Sequence, residues 1–218
     1  MVTGVKFWEK NAAVYDKGVD YILGNNLRLI VLDKLAREQH LGRTVEFGCG
    51  TGFFTPLLAQ LSESVAATDI SEKMLDLTRE RITGLPAVTV MRQDCEKTSF
   101  PPASFDTAFL GLTFQLVNGP VAVAEMQRIL KPRGKLILAI PTMEGLRLPD
   151  KLRGIMRNCC TYGTIRPPGT QLYTRLTLPP IITRAGFRIL DVEQLADPTH
   201  PRGFSGLWLR AEKIYDEK

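Results

Sequence analysis

Val45-Glu46-Phe47-Gly48-Cys49-Gly50-Thr51-Gly52-Phe53-Phe54 decides how this chain is read. An apolar strand carrying one acid runs into glycines at every second position, and a helical pattern starts at Phe54. Without a Cβ, such a turn can bend sharply and bring backbone close to a ligand. The spacing is G-x-G-x-G. A dinucleotide fingerprint reads G-x-G-x-x-G, and Phe53 stands where its third glycine belongs. Glu46 lies two residues before the first glycine, where a carboxylate can reach an amine. A carboxylate there would repel a pyrophosphate, so an amino-acid moiety suits the turn better.

Working outward, Ser64-Val65-Ala66-Ala67-Thr68-Asp69 is a second apolar strand ending in an acid, with Asp69 placed to accept ribose hydroxyls. Ala87-Val88-Thr89-Val90-Met91-Arg92 is a third, followed by Gln93-Asp94-Cys95, where Asp94 can accept from an adenine amino group. An acid at a strand end also serves as a helix cap, but Ser71 can supply that cap without Asp69. Three acids in register after one glycine turn describe a pocket for an adenosine that carries an amine. No phosphate loop of the G-x-x-x-x-G-K-[ST] kind is present in the sequence.

With these residues in place, the chain resembles the class I S-adenosylmethionine-dependent methyltransferases, in particular the group that includes ubiquinone and menaquinone biosynthesis enzymes. The matching segments continue through Ile70-Ser71-Glu72-Lys73-Met74-Leu75, Phe105-Asp106-Thr107-Ala108-Phe109-Leu110 and Ile129-Leu130-Lys131-Pro132-Arg133-Gly134-Lys135-Leu136. The resemblance implies that Gly48, Gly50 and Gly52 pass under the methionine part of S-adenosylmethionine and that Glu46 helps hold it. Asp69 would take the ribose, and Ile70 and Met74 would enclose the adenine. Asp94 and the Cys95 amide would read its edge. Leu110 would add to the site, and Tyr15 would close over the methionine carboxylate. The resemblance says little about the methyl acceptor.

Strands alternating with helical stretches predict an α/β fold: a doubly wound, mostly parallel seven-stranded sheet whose last strand, by resemblance, is antiparallel. At 218 residues and 44% hydrophobic content one core suffices. The expected organisation is one methyltransferase domain over 1–218, with a helical lid at 1–40 and a cofactor core at 43–141. A substrate-side insertion would follow at 142–176 and C-terminal strands at 177–218. One or two helices are expected between Ala12 and Arg37, and a fifth strand at Gly134–Ile140. The first ten residues lack the apolar core of a signal peptide, and no run approaches the roughly 20 apolar residues of a membrane span. A soluble, cytoplasmic protein is expected. Cys159-Cys160 adjoin but no C-x-x-C exists, so no metal site is expected.

The insertion carries the charge. Between Arg147 and Arg175 six cations face the single acid Asp150, an excess of five, equal to the formal net charge of +5 for the whole chain. This suits an anionic acceptor or a nucleic-acid backbone. It equally suits a solvated surface helix buried through Leu152, Ile155 and Met156. His200, in the loop between the last two strands, is the candidate general base; Gln115, Asn118 and Tyr173 are further pocket candidates. No N-P-P-Y or Pro-Cys nucleophile motif occurs, nor the paired glutamates of arginine methyltransferases. The leading expectation is methyl transfer to an anionic or lipid-like small molecule. Its rivals are RNA modification and S-adenosylmethionine binding without catalysis.

Overall fold

A computed structural model describes residues 2–24, 26–197 and 204–214. Its centre is a seven-stranded sheet of order β3-β2-β1-β4-β5-β7-β6. The strands are β1 (Arg43–Phe47), β2 (Ser64–Asp69), β3 (Val88–Arg92), β4 (Phe105–Gly111), β5 (Leu130–Thr142), β6 (Phe187–Leu195) and β7 (Ser205–Lys213). β1 to β5 pair in parallel, and β7 runs antiparallel between β5 and β6. The expected antiparallel last strand is present, and β6 runs with the parallel set.

Helices cover both faces, so the central strands are buried on both sides and read as continuous apolar runs. In β5, Leu136, Leu138 and Ile140 enter one core layer while Ile137 and Ala139 enter the other. The first layer is closed by α6 (Gly119–Ile129) and α8 (Pro179–Arg184). The second is closed by α3 (Leu27–Leu35), α4 (Thr55–Leu61) and α5 (Glu72–Arg81), with Trp208 wholly buried in it.

In the N-terminal region two separate helices, α2 (Tyr15–Leu23) and α3, fall between Ala12 and Arg37 as expected, and a further helix, α1 (Val2–Asn11), precedes them. Gly24 makes the break: it adopts a left-handed φ of 85° and its N–H donates to the Asp20 carbonyl at 2.9 Å. β5 is also longer than the expected Gly134–Ile140, because β7 pairs with it as far as Thr142. Helix α7 (Leu148–Tyr162) occupies the basic insertion.

Parallel strands place their carboxyl ends on one edge, where ligands bind in open α/β sheets. The glycine turn after β1 lies on that edge. Gly48 has φ +64°, and a Cβ built there would sit 2.3 Å from Thr113 Cγ2, while the Thr113 hydroxyl donates to the Gly48 carbonyl at 3.1 Å. Gly48→Ala is therefore expected to destabilise the fold by at least about 2 kcal/mol, from backbone strain and overpacking together. A fall in the urea midpoint at unchanged slope would check it.

Candidate cofactor and acceptor site

The carboxyl ends of β1 to β4 open on a cavity of about 500 Å³. Tyr15, Gly48, Gly50, Asp69, Ile70, Met74, Asp94 and Cys95 all line it. Asp69 is held from two sides: Oδ2 accepts from the Gly50 amide at 3.0 Å and Oδ1 from the Ser71 amide at 2.9 Å. The helix cap falls to Ser71, whose Oγ accepts from the Met74 amide at 3.4 Å. Asp69 is thus not consumed as a cap, and its oxygens keep lone pairs toward the cavity it lines. Burial pushes its carboxyl above the usual range, against the pull of those amides. Asp94 Oδ1 accepts from the Glu96 amide at 2.9 Å, fixing the loop after β3.

Three sequence-predicted residues line neither this cavity nor the second one described below. The Glu46 carboxylate is wholly buried behind the glycine turn, where Oε2 accepts from the Thr55 hydroxyl at 2.6 Å. It braces the turn against the first residue of α4 and lines neither cavity. Burial raises its pKa to about 7; the Thr55 hydroxyl opposes this and the Asp69 charge adds to it. Gly52 packs against Thr78, where a Cβ would lie 3.1 Å from Thr78 Cγ2. Leu110 points into the first core layer, as strand alternation requires. Burial also pushes the Cys49 and Cys95 thiols up, which keeps them protonated.

Tyr15 reaches the turn through a clasp. Its ring lies over Gly50, where a Cβ would be 3.5 Å from Tyr15 Cε1. The next residue, Asp16, joins three elements. Oδ1 accepts from Arg28 Nη1 at 2.7 Å and from the Thr51 hydroxyl at 2.8 Å, and Oδ2 from Arg81 Nη2 at 2.7 Å. Arg28 is buried, also binds Asp20, and stacks 4.0 Å above the Phe53 ring. These pairings bind α2 to the glycine turn and to α5. Trp8 packs edge-on against Tyr15, with centroids 5.8 Å apart.

A second cavity of about 340 Å³ shares a wall with the first; Trp8, Tyr15, Leu116 and Gln171 face both. Its remaining lining is mostly apolar, including Val19, Ile22, Leu112, Met143, Ile155 and Phe204. Two buried polar atoms there have no partner among the described residues: Gln115 Oε1 and the Tyr162 hydroxyl. Gln115 Nε2 donates to the Leu112 carbonyl at 2.5 Å, and a carbonyl cannot donate, so Oε1 is the atom left free. Burial pushes the Tyr162 hydroxyl up to about 12.

Of the other pocket candidates, Asn118 lines the first cavity and Gln115 the second. Tyr173 is core instead, packed on Phe114 with its hydroxyl on Gln171. His200 lies outside the described residues. Reasoning from sequence missed Thr113 and Gln171 in the first cavity and Leu112 and Phe204 in the second. They arrive on the loops after β4 and α7 and just before β7, where spacing carries no signal.

The family model described as "Methyltransferase domain" matches residues 45–138. The chain is 34% identical over 113 residues to a malonyl-[acyl-carrier protein] O-methyltransferase of Erwinia pyrifoliae, covering 51% of this chain and 42% of that one. It is 34% identical over 101 residues to a demethylmenaquinone methyltransferase of Staphylococcus aureus, covering 44% and 41%. It therefore spans less than half the length of these curated relatives. A chain of the complex between the Haloferax volcanii Trm112 methyltransferase activator and a methyltransferase superposes with a TM-score of 0.75. That superposition covers 95% of this chain and 98% of the other at 16% identity, a likeness of fold. The fold and motifs define a Rossmann-like methyltransferase architecture. Residues 45–138 thus match a methyltransferase domain, and the chain is similar to the class I S-adenosylmethionine-dependent methyltransferases, whose cofactor is S-adenosylmethionine.

Proposed function

We propose that this protein transfers the methyl group of S-adenosylmethionine to a small, largely apolar acceptor held in the second cavity. One observation carries the reading: an apolar cavity shares the wall of Trp8, Tyr15, Leu116 and Gln171 with the cavity that the cofactor motifs line. Asp69 takes the ribose hydroxyls, Ile70 and Met74 flank the adenine, and Asp94 with the Cys95 amide meets its edge. Gly48 and Gly50 pass beneath the methionine part, which Tyr15 covers. The sulfonium, when bound, supplies an already activated methyl, so the protein has to align the nucleophile and exclude water. The aromatic wall of Trp8 and Tyr15 serves both ends.

Gln115 Oε1 gives an acceptor O–H or N–H a buried partner, and the Tyr162 hydroxyl offers another. Among the described residues no carboxylate or histidine lines the second cavity, and Arg166 is the cation on its wall. That lining suits a nucleophile that ionises readily, such as an acidic ring hydroxyl, and His200 remains the proposed base for a less acidic one. A quinone-like ring, as in the name of the Staphylococcus aureus relative, fits an apolar cavity with few polar anchors.

Labelled methyl from S-adenosylmethionine, supplied with protein to a cell extract, is expected in the organic-soluble small-molecule pool. Label in RNA or protein would overturn the acceptor class, and cofactor binding with no label anywhere would favour a non-catalytic role. Gln115→Leu is expected to weaken acceptor use by about 1–3 kcal/mol, the cost of an unmet buried hydrogen bond, at unchanged cofactor affinity. Steady-state rates on the labelled product's precursor, beside a cofactor titration, check this.

A further inference from the structure

We propose that α7 and the segment after it form a docking surface for an anionic phospholipid bilayer, placed beside the mouth of the second cavity. The helix is inverted relative to expectation. Leu152 and Met156, read from sequence as a buried stripe, are 56% and 58% exposed, and Leu148 is 70% exposed. Its buried face is instead Asp150, Gly154 and Asn158. At 3.6 residues per turn, Leu148, Leu152, Met156, Cys159 and Cys160 fall within an arc of roughly 120°, all of it outward. A solvated helix carries its apolar stripe inward; one that keeps it outward with basic flanks has the pattern of an interfacial helix.

Charge selects the occupant. Arg147, Lys151 and Arg166 pair with no carboxylate among the described residues, and Arg157 stands over the Tyr21 ring, 5.3 Å from its centroid. Among the described residues, Arg153 and Arg175 are the members of the cluster that are neutralised, by Asp150 and Glu144. Exposed apolar side chains flanked by free cations match an anionic headgroup layer above acyl chains. Ile155 lies next to the outward arc and lines the second cavity, and the exposed Ile165 and Leu172 line it too. No helix among the described residues is long and apolar enough to cross a membrane, so the surface lies on the bilayer. Docking is independent of the acceptor; only entry of an acceptor from the bilayer rests on the function proposed above.

Sedimentation with phosphatidylcholine vesicles, with and without phosphatidylglycerol, tests this. The wild-type chain is expected to pellet with the anionic vesicles, and to do so at least about tenfold less in high salt or on phosphatidylcholine alone. Leu148→Ser/Leu152→Ser/Met156→Ser and Arg147→Glu/Lys151→Glu are each expected to abolish pelleting, while Leu190→Ser, exposed on β6, leaves it intact. S-adenosylmethionine affinity, measured on every variant, stays at the wild-type value if the cofactor site is sound, so loss of docking and loss of function are read separately. Failure of the wild-type chain to pellet, or pelleting unaltered in the triple variant, would overturn the proposal. So would a concentration-dependent dimer that the triple variant dissolves, which would assign the face to a second copy.

Discussion

Asp69→Ala is expected to weaken S-adenosylmethionine binding by about 1.5–3 kcal/mol, roughly tenfold to hundredfold, the range for hydrogen bonds to a charged group. The carboxylate is buried and already ordered by the Gly50 and Ser71 amides, so little conformational freedom is lost when a ribose docks. Its removal strips the ligand of an acceptor and leaves the Gly50 amide without its partner. Asp69→Asn keeps the shape and one acceptor oxygen, and an intermediate loss is expected. Calorimetric titration beside thermal melts separates binding from folding. Full affinity in an intact Asp69→Ala fold would refute the ribose assignment.

Glu46→Gln is expected to remove a pH dependence of stability. The folded pKa of Glu46 is about 7, above its ordinary 4.5, so the folded state keeps a proton that the unfolded chain has released. Between those values stability falls as pH rises, by about 3 kcal/mol in all, and is flat above. Asp69, also raised, acts in the same direction. Carboxyls held low by arginines, such as Asp16 and Glu125, act oppositely and only in more acid solution. Glutamine keeps an oxygen for the Thr55 hydroxyl and has no proton to lose, so its melting temperature should vary less from pH 4.5 to 7. An unchanged slope would place the titration elsewhere. A cationic cofactor favours the ionised form of both carboxyls, so its affinity is expected to rise with pH across the same window.

The sheet and the cavity at its carboxyl edge were legible because their signals are local. Glycine spacing, an acid at each strand end and two-residue alternation in β5 each follow from backbone geometry within a few residues. The clasp was not: Asp16, Arg28 and Arg81 meet only once the N-terminal helices pack over the turn. The Glu46 contact with Thr55 was not legible either, because spacing fixes its distance along β1, whereas alternation decides which side of the turn it faces. The stripe on α7 failed for a related reason. Helical period reveals an apolar face, and the core takes whichever face the neighbouring elements leave room for. Here Gly154, against Phe204, permits the close approach, and a Cβ there would come within 2.8 Å of that ring.

The most direct test is a crystal structure with S-adenosylhomocysteine bound. The adenine is expected between Ile70 and Met74, the ribose on Asp69, and the sulfur at the wall of Trp8, Tyr15, Leu116 and Gln171, facing the apolar cavity. A sulfur turned to solvent, or walled off from that cavity, would contradict this placement.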